Sequence, residues 1–153
     1  MNPEENTSSA IKVSIVSSCV VVKDGNYLMV KERIPEKGDL WHPPSGKVDE
    51  GEDFETAAVR WTKQQTGYDV QVRKEIGLYH EVATKSIKHV YAADIVGGEL
   101  VPQNNEIVEV AWLPFAEIEI LEKNGHLRAP WVWSIIQKVR SQAPSGSSVM
   151  GYL

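Results

Sequence analysis

The segment from Gly46 to Gly67 constrains the fold most, because it holds a helix whose two ends are both specified. Acidic residues fill its expected first turn, "GEDFE" at 51–55, where carboxylates suit the positive end of the helix dipole. Gly67 provides the left-handed residue at which many helices end. The sequence therefore predicts a helix starting near Glu52. The helical period places these residues on one face: Phe54, Ala58, Trp61, Gln65 and Tyr68.

Runs of β-branched and apolar residues on both sides of this helix predict strands. "KVSIVSSCVVV" (12–22) and "YLMVKER" (27–33) flank an Asp-Gly turn. "DVQVRKEIGLYHEVA" (69–83) and "IKHVYAADIV" (87–96) form a second pair, and "GGEL" (97–100) predicts a turn into a short strand. "IVEVAWLPF" (107–115) predicts a further strand that ends at its proline. The pattern is that of a mixed sheet with a few helices packed on it.

A second helix is predicted in "APWVWSIIQKVRS" (129–141), where four apolar residues form one stripe: Val132, Ile135, Ile136 and Val139. The ends of the chain, 1–10 and 143–153, are rich in Ser, Pro, Gly and Asn, and we expect both to be unstructured tails. A chain of 153 residues with 42% hydrophobic residues then leaves one domain over 11–142.

Charge and composition narrow the possible partners. The net charge of −5 argues against general nucleic-acid binding, which requires a basic surface. No apolar run approaches the roughly 18 residues of a membrane span, and the first ten residues lack a secretory pattern. The single Cys19 lies in an apolar run and is interpreted as a buried thiol. We therefore expect a cytoplasmic protein with no membrane partner.

The spacing within the helical segment resembles a known motif. Gly46, Glu52, Arg60 and then Gly67 with Tyr68 reproduce the frame of the Nudix box, G-x5-E-x7-R-E-U-x-E-E-x-G-U, where U is a bulky apolar residue. The flanking "LWHPPSGKVDEGED" and "EIVEVAWLPFAEI" also resemble the family. The chain is thus similar to the Nudix (MutT-like) hydrolase superfamily over about residues 11–140. That resemblance implies an α/β fold, an α/β/α sandwich around a mixed sheet.

The same resemblance implies a metal site, and there the sequence departs from the family. The box glutamates hold Mg²⁺ or a similar ion against a substrate pyrophosphate, because three carboxylates one helical turn apart supply hard, charged oxygens. This chain has Trp61, Gln64 and Gln65 at those positions. An amide offers an oxygen without charge, and an indole offers an N–H donor. We therefore predict that the usual metal site is absent or very weak.

Other residues are candidates for the site on the basis of the resemblance. Glu52 has mainly an orienting role with Arg60, and Glu106 lies where some members place a general base. Both are candidate catalytic residues. Four residues are candidates for ligand binding: Gly46, Arg60, Trp61 and His42. His42 could contact a phosphate, whereas Trp61 could either fill the cleft or stack on a base.

Two hypotheses follow. In the first, a degenerate Nudix domain with weak or lost hydrolysis binds a nucleotide or nucleoside diphosphate derivative, or a protein partner. In the second, an active pyrophosphohydrolase binds Mg²⁺ or Mn²⁺ through acids such as Glu52 and Glu106; only this hypothesis requires a metal cofactor. Two segments, 77–100 and "LRAPW" (127–131), resemble the branch of the family that hydrolyses oxidised nucleoside diphosphates, which bears on the substrate class only.

Overall fold

The computed structural model describes residues 9–142. Within them, eight strands and three helices follow one another. The strands are β1 (Ser14–Val20), β2 (Val22–Lys23), β3 (Asn26–Ile34), β4 (Gly38–His42), β5 (Ser45–Lys47), β6 (Tyr68–Glu81), β7 (Ser86–Gly98) and β8 (Ile107–Pro114). The helices are α1 (Phe54–Thr66), α2 (Phe115–Lys123) and α3 (Pro130–Ser141). Of the tails predicted at 1–10 and 143–153, residues 1–8 and 143–153 lie outside the described residues.

The strands form two four-stranded sheets. One has the order β5-β1-β7-β6 and is mixed, because β1 is parallel to β7 while the other neighbours are antiparallel. In the other, β3 is antiparallel to β8 along one edge and to β2 and β4 on different parts of the opposite edge. The mixed sheet predicted from the sequence is confirmed. Among residues 9–142, no helix is long and apolar enough to span a membrane.

Helices cover both faces of the central strands, as the alternation of side chains in each strand requires. At the end of β1, Cys19 and the next but one residue, Val21, belong to the apolar cluster that contains Ala58 of α1. Val20, between them, belongs instead to the cluster that contains Ile118 of α2 and residues of α3. All four stripe residues of α3 are buried: Val132, Ile135, Ile136 and Val139. This is the expected α/β/α sandwich.

The ends of α1 are fixed by local chemistry. The side chain of Asp53 accepts a hydrogen bond from the Thr56 N–H at 2.7 Å, so the helix begins at Phe54, two residues later than predicted. Gly67 ends it with φ of 91° and donates its N–H to the Lys63 carbonyl. A Cβ at Gly67 would lie 2.1 Å from the Glu99 carbonyl oxygen, so both conformation and space require glycine here.

Three features differ from the sequence prediction. The strands β4 and β5 were not predicted, and neither was α2, which buries only Ile118 and so has a weak helical pattern. The short strand predicted after Gly98 is wrong. Residues 99–106 form no strand, because this backbone bonds to the end of α1: the Val101 N–H donates to the Thr66 carbonyl and the Gln103 N–H to the Gln64 carbonyl.

Candidate functional site

The candidate site is a cleft of about 580 Å³ between β5, the second half of α1 and the β6–β7 hairpin. The loop before β8 and the residues that lead into α3 complete its walls. The lining residues used below are Glu32, Lys37, His42, Ser45, Gly46, Lys47, Trp61, Gln65, Glu81, Thr84, Ser86, Lys88, Glu106 and Arg128. The cleft therefore brings together several predicted site residues that are far apart in the sequence.

Gln65, at one of the three metal-ligand positions, is hydrogen bonded to the backbone of β5. Its Nε2 donates to the Ser45 carbonyl at 3.0 Å, and its Oε1 accepts from the Ser45 N–H at 3.0 Å. The side chain is 3% exposed. Both ends of the amide are therefore used within the protein.

Trp61, at the first metal-ligand position, is also bonded to β5. Its Nε1–H donates to the Lys47 carbonyl at 2.8 Å, and the Arg60 guanidinium lies 4.9 Å from the centre of its ring. The indole covers Gly46 so closely that a Cβ there would lie 2.1 Å from Trp61 Cε2. We call the contacts of Trp61 and Gln65 with residues 45–47 the β5 clasp.

Gln64, at the remaining metal-ligand position, is half-buried and lies outside the β5 clasp. Its backbone carbonyl accepts the hydrogen bond from Gln103 at 2.8 Å. Across residues 9–142, no three His, Cys, Asp or Glu side chains are grouped so that they could hold a metal ion. With two amides and an indole in place of three carboxylates, the residues at these positions do not fit a divalent ion.

Arg60 and Glu52 form the ion pair that the resemblance implied. Nε of Arg60 lies 2.7 Å from Glu52 Oε2 and Nη2 lies 2.9 Å from Oε1, a bidentate arrangement. The Asp49 N–H also donates to Glu52, at 3.0 Å. The hydrogen bond from Arg60, followed by that from Asp49, lowers the pKa of Glu52 to about 2 against the small opposing effect of burial. We call this pair the brace.

His42 and Glu106 both line the cleft, but in different surroundings. His42 is 1% exposed; its Nδ1 lies 2.6 Å from the Pro43 carbonyl oxygen and its Nε2 lies 2.7 Å from Glu32. Burial raises the pKa of Glu32, yet the hydrogen bond from His42 and the charges of His42 and Arg128 outweigh it and hold that pKa below its usual value. Glu106 is exposed, and its N–H donates to Asn104 Oδ1.

A family model, the NUDIX domain, matches residues 13–132 of this chain. The chain belongs to the Nudix family. Phosphatase NudJ of Shigella boydii is 26% identical over 133 residues, which cover 85% of this chain and 85% of NudJ. A Bacillus subtilis relative, provisionally named an 8-oxo-dGTP diphosphatase, is 29% identical over 94 residues, or 61% of this chain. The match covers 62% of the Bacillus protein, less than two thirds of its length.

Solved structures agree with this Nudix fold. A Nudix hydrolase from Nitrosomonas europaea matches with a TM-score of 0.79 at 23% identity and covers 89% of this chain and 100% of that one. The Nudix domain of Shewanella oneidensis NrtR, solved with ADP-ribose, matches with a TM-score of 0.67 at 18% identity and covers 93% and 99%. At such identities the likeness establishes the fold alone.

The Nudix cleft of this chain brings together Gly46, Trp61, His42 and Glu106, while Glu52 and Arg60 lie outside its lining. Sequence reasoning missed its second group of polar residues, on the β6–β7 hairpin. One signal was present: Lys88 lies two residues before Val90 and so faces the same side of β7 as a core residue. A lysine in phase with buried positions predicts a charge that is turned inward.

Proposed function

We propose that this Nudix domain binds a nucleotide with a diphosphate group and has little or no metal-dependent hydrolytic activity. The observation that carries the proposal is the β5 clasp. At the positions where the family's carboxylates meet a metal, the polar atoms of Trp61 and Gln65 bond to the backbone of Lys47 and Ser45. A side chain that is neutral and already hydrogen bonded contributes nothing to holding Mg²⁺ or Mn²⁺.

The ligand class rests on the family and on the chemistry of the cleft. The NrtR domain was solved with ADP-ribose, the Bacillus subtilis relative is provisionally named an 8-oxo-dGTP diphosphatase, and NudJ is named a phosphatase. The cleft of this chain contains cationic side chains suited to phosphate groups, among them Lys88 and Arg128. A protein partner is a further candidate occupant. Membrane or general nucleic-acid binding forms no part of the proposal.

The alternative function, an active hydrolase that uses Glu52 and Glu106, has one observation in its favour: Glu106 is exposed and lines the cleft. Glu52 is less suitable, because both of its oxygens already accept hydrogen bonds from Arg60 and Asp49. Besides Glu106, two carboxylates line the cleft, and both are paired: Glu32 with His42 and Glu81 with Lys88. These contacts favour the binding function over the hydrolase.

We also propose a cytoplasmic location, because Cys19 suits a reducing compartment. It is a free and fully buried cysteine, and burial raises the pKa of its thiol to about 11 despite the hydrogen bond with Thr62. A thiol held in this way is unreactive and packs as a small apolar side chain.

The decisive experiment measures Mg²⁺- and Mn²⁺-dependent release of phosphate or nucleoside monophosphate from nucleoside di- and triphosphates and from ADP-ribose. The natural chain is compared with the triple variant Trp61→Glu, Gln64→Glu, Gln65→Glu. We expect little turnover by the natural chain and metal-dependent turnover by the variant, since carboxylates supply the missing ligands. Glu106→Gln in the natural chain is the matched test of the alternative function.

The outcomes separate the two functions. Turnover by the natural chain at an ordinary Nudix rate, lost in Glu106→Gln, would establish the hydrolase and overturn the proposal. A metal titration followed by thermal unfolding adds a readout that does not depend on activity, because an ion that binds only the native state raises its stability. We expect Mg²⁺ to leave the melting temperature of the natural chain unchanged.

A further inference from the structure

Four polar side chains on the β6–β7 hairpin form one wall of the cleft, and none of them belongs to the Nudix box: Glu81, Thr84, Ser86 and Lys88. Lys88, 9% exposed, donates from Nζ to Ser86 Oγ and lies 3.3 Å from Glu81 Oε1. The carboxylate of Glu81 also accepts a hydrogen bond from Thr84 Oγ1 at 2.6 Å. The lysine is therefore held in place, with two of its three N–H donors used by the protein.

A second cation, Arg128, lies in the segment before α3 and lines the same cleft. Its Nη1 is 3.5 Å from Glu32 Oε1, and its side chain is 39% exposed. This contact is at the limit of a hydrogen bond and uses one of five guanidinium N–H groups. Most of the donor capacity of Arg128 is thus available to a ligand.

The two cations are close enough to affect each other. Burial lowers the pKa of Lys88, and the charge of Arg128 lowers it further, although Glu81 acts in the opposite direction. Two positive groups in one partly desolvated cleft repel each other, and an anion placed between them would relieve that repulsion. Lys37 and Lys47, both exposed, add positive charge to the lining.

A diphosphate suits this pair. Arg128 can donate two parallel hydrogen bonds to one phosphoryl group, and Lys88 can supply a point charge to the other. On the box side of the cleft, the β5 clasp itself consists of neutral groups, and positive charge comes from the exposed side chain of Lys47. Lys88 on the hairpin and Arg128 before α3 supply the two cations on the other walls.

We propose that Lys88 and Arg128 bind the phosphate groups of the ligand directly, so that this domain holds a diphosphate without a divalent cation. This inference rests on the proposed function and assigns the residues that perform it. Ligand binding of this kind forms and breaks no covalent bond.

The test measures binding of ADP-ribose and of inorganic pyrophosphate by calorimetry in EDTA, over a series of NaCl concentrations. The variants are Lys88→Met and Arg128→Gln. The matched controls are Lys31→Met and Arg33→Gln, since Lys31 pairs with Glu109 at 3.1 Å and Arg33 with Asp39 at 3.6 Å outside the cleft lining. Thermal unfolding of each variant accompanies the binding data.

We expect each cleft variant to weaken ADP-ribose binding by about tenfold or more, and each control to leave it unchanged. The dependence of affinity on salt should also become shallower in the cleft variants, because a screened charge contact has been removed. Damage to the fold alone would weaken binding without changing that dependence. Arg128 is an exposed side chain, so the Arg128→Gln variant should fold. It therefore tests the proposal even if the Lys88→Met variant does not fold.

The possible failures are distinguishable. If the natural chain binds ADP-ribose in EDTA and the cleft variants bind it equally well, this assignment is wrong while the proposed function stands. If the natural chain binds neither ligand until Mg²⁺ is added, both the assignment and the metal-free binding function are overturned.

Discussion

The two halves of the Nudix box use their side chains differently in this chain. From Gly46 to Arg60 the family pattern is kept, and the brace joins Glu52 and Arg60 through charged, bidentate hydrogen bonds. From Trp61 to Gln65 the pattern is lost, and neutral side chains form the β5 clasp. The brace connects the loop to the helix, whereas the clasp connects the helix to β5.

The first half of the box keeps its positioning contacts although the second half lacks the carboxylates of the family pattern. Both halves contact the same strand, since Arg60 Nη2 lies 3.3 Å from the Lys47 carbonyl oxygen and Trp61 Nε1 lies 2.8 Å from it. In the second half, Trp61 and Gln65 bond directly to the backbone of β5. Three experiments separate the contribution of the clasp to stability from that of the brace.

The largest effect is expected from Gly46→Ala, which forces a methyl group into the indole of Trp61. The added Cβ would lie 2.1 Å from one ring atom and 2.2 Å from another, so the ring or β5 must move. Overpacking of this kind costs about 3 kcal/mol of unfolding free energy. Urea denaturation of the variant measures the loss.

Gly97→Ala is the matched control for that change, because Gly97 is also a strand residue and its added Cβ would meet its nearest neighbour at 3.5 Å. The double variant Gly46→Ala, Trp61→Ala should recover part of the loss if the indole is its cause. Equal stability of Gly46→Ala and the natural chain would show that the clasp does not confine Trp61.

A smaller loss is expected from Gln65→Ala. The change leaves the N–H and the carbonyl of Ser45 without the amide that now pairs with both. Unpaired polar groups of this kind cost about 2 kcal/mol. Gln64→Ala is a close control, since Gln64 is the adjacent glutamine on the same helix and lies outside the clasp. Similar losses at both positions would mean that helix propensity, rather than the clasp, sets the stability.

Much of the fold could be predicted because local signals were strong. The Gly67 stop and the stripe of α3 depend on neighbours in the sequence, and both are observed. The strands β4 and β5 were missed because each is short and rich in turn-forming residues; their pairing with β3 and β1 defines them. Such long-range pairing leaves little trace in a local pattern.

For the site, the sequence predicted which residues replace the ligands but could not predict their new partners. The hydrogen bonds of Gln65 join residues 20 positions apart, and those of Arg128 and Glu32 join residues 96 apart. The pairing of His42 with Glu32 was likewise beyond a sequence argument, because the two residues lie on different strands. Composition indicates chemistry, and only the fold determines which groups meet.

The smallest effect, and the one that tests the brace, concerns pH. The folded pKa of Glu52 is about 2, below the value of about 4.3 in an unfolded chain, so the folded state binds fewer protons between these values. The stabilisation by Glu52 is therefore fully present above that window and is lost as pH falls through it.

A double-mutant cycle with Glu52→Gln and Arg60→Met tests this expectation, measured by urea denaturation at about pH 7 and about pH 2.5. The coupling free energy between the two residues should be smaller at the lower pH. Because Arg60 also stacks on Trp61, Arg60→Met alone should destabilise at both pH values, and only the coupling isolates the ion pair. A coupling that is unchanged between the two pH values would mean that the brace acts through packing, as the clasp does, and the contrast between the two halves of the box would disappear.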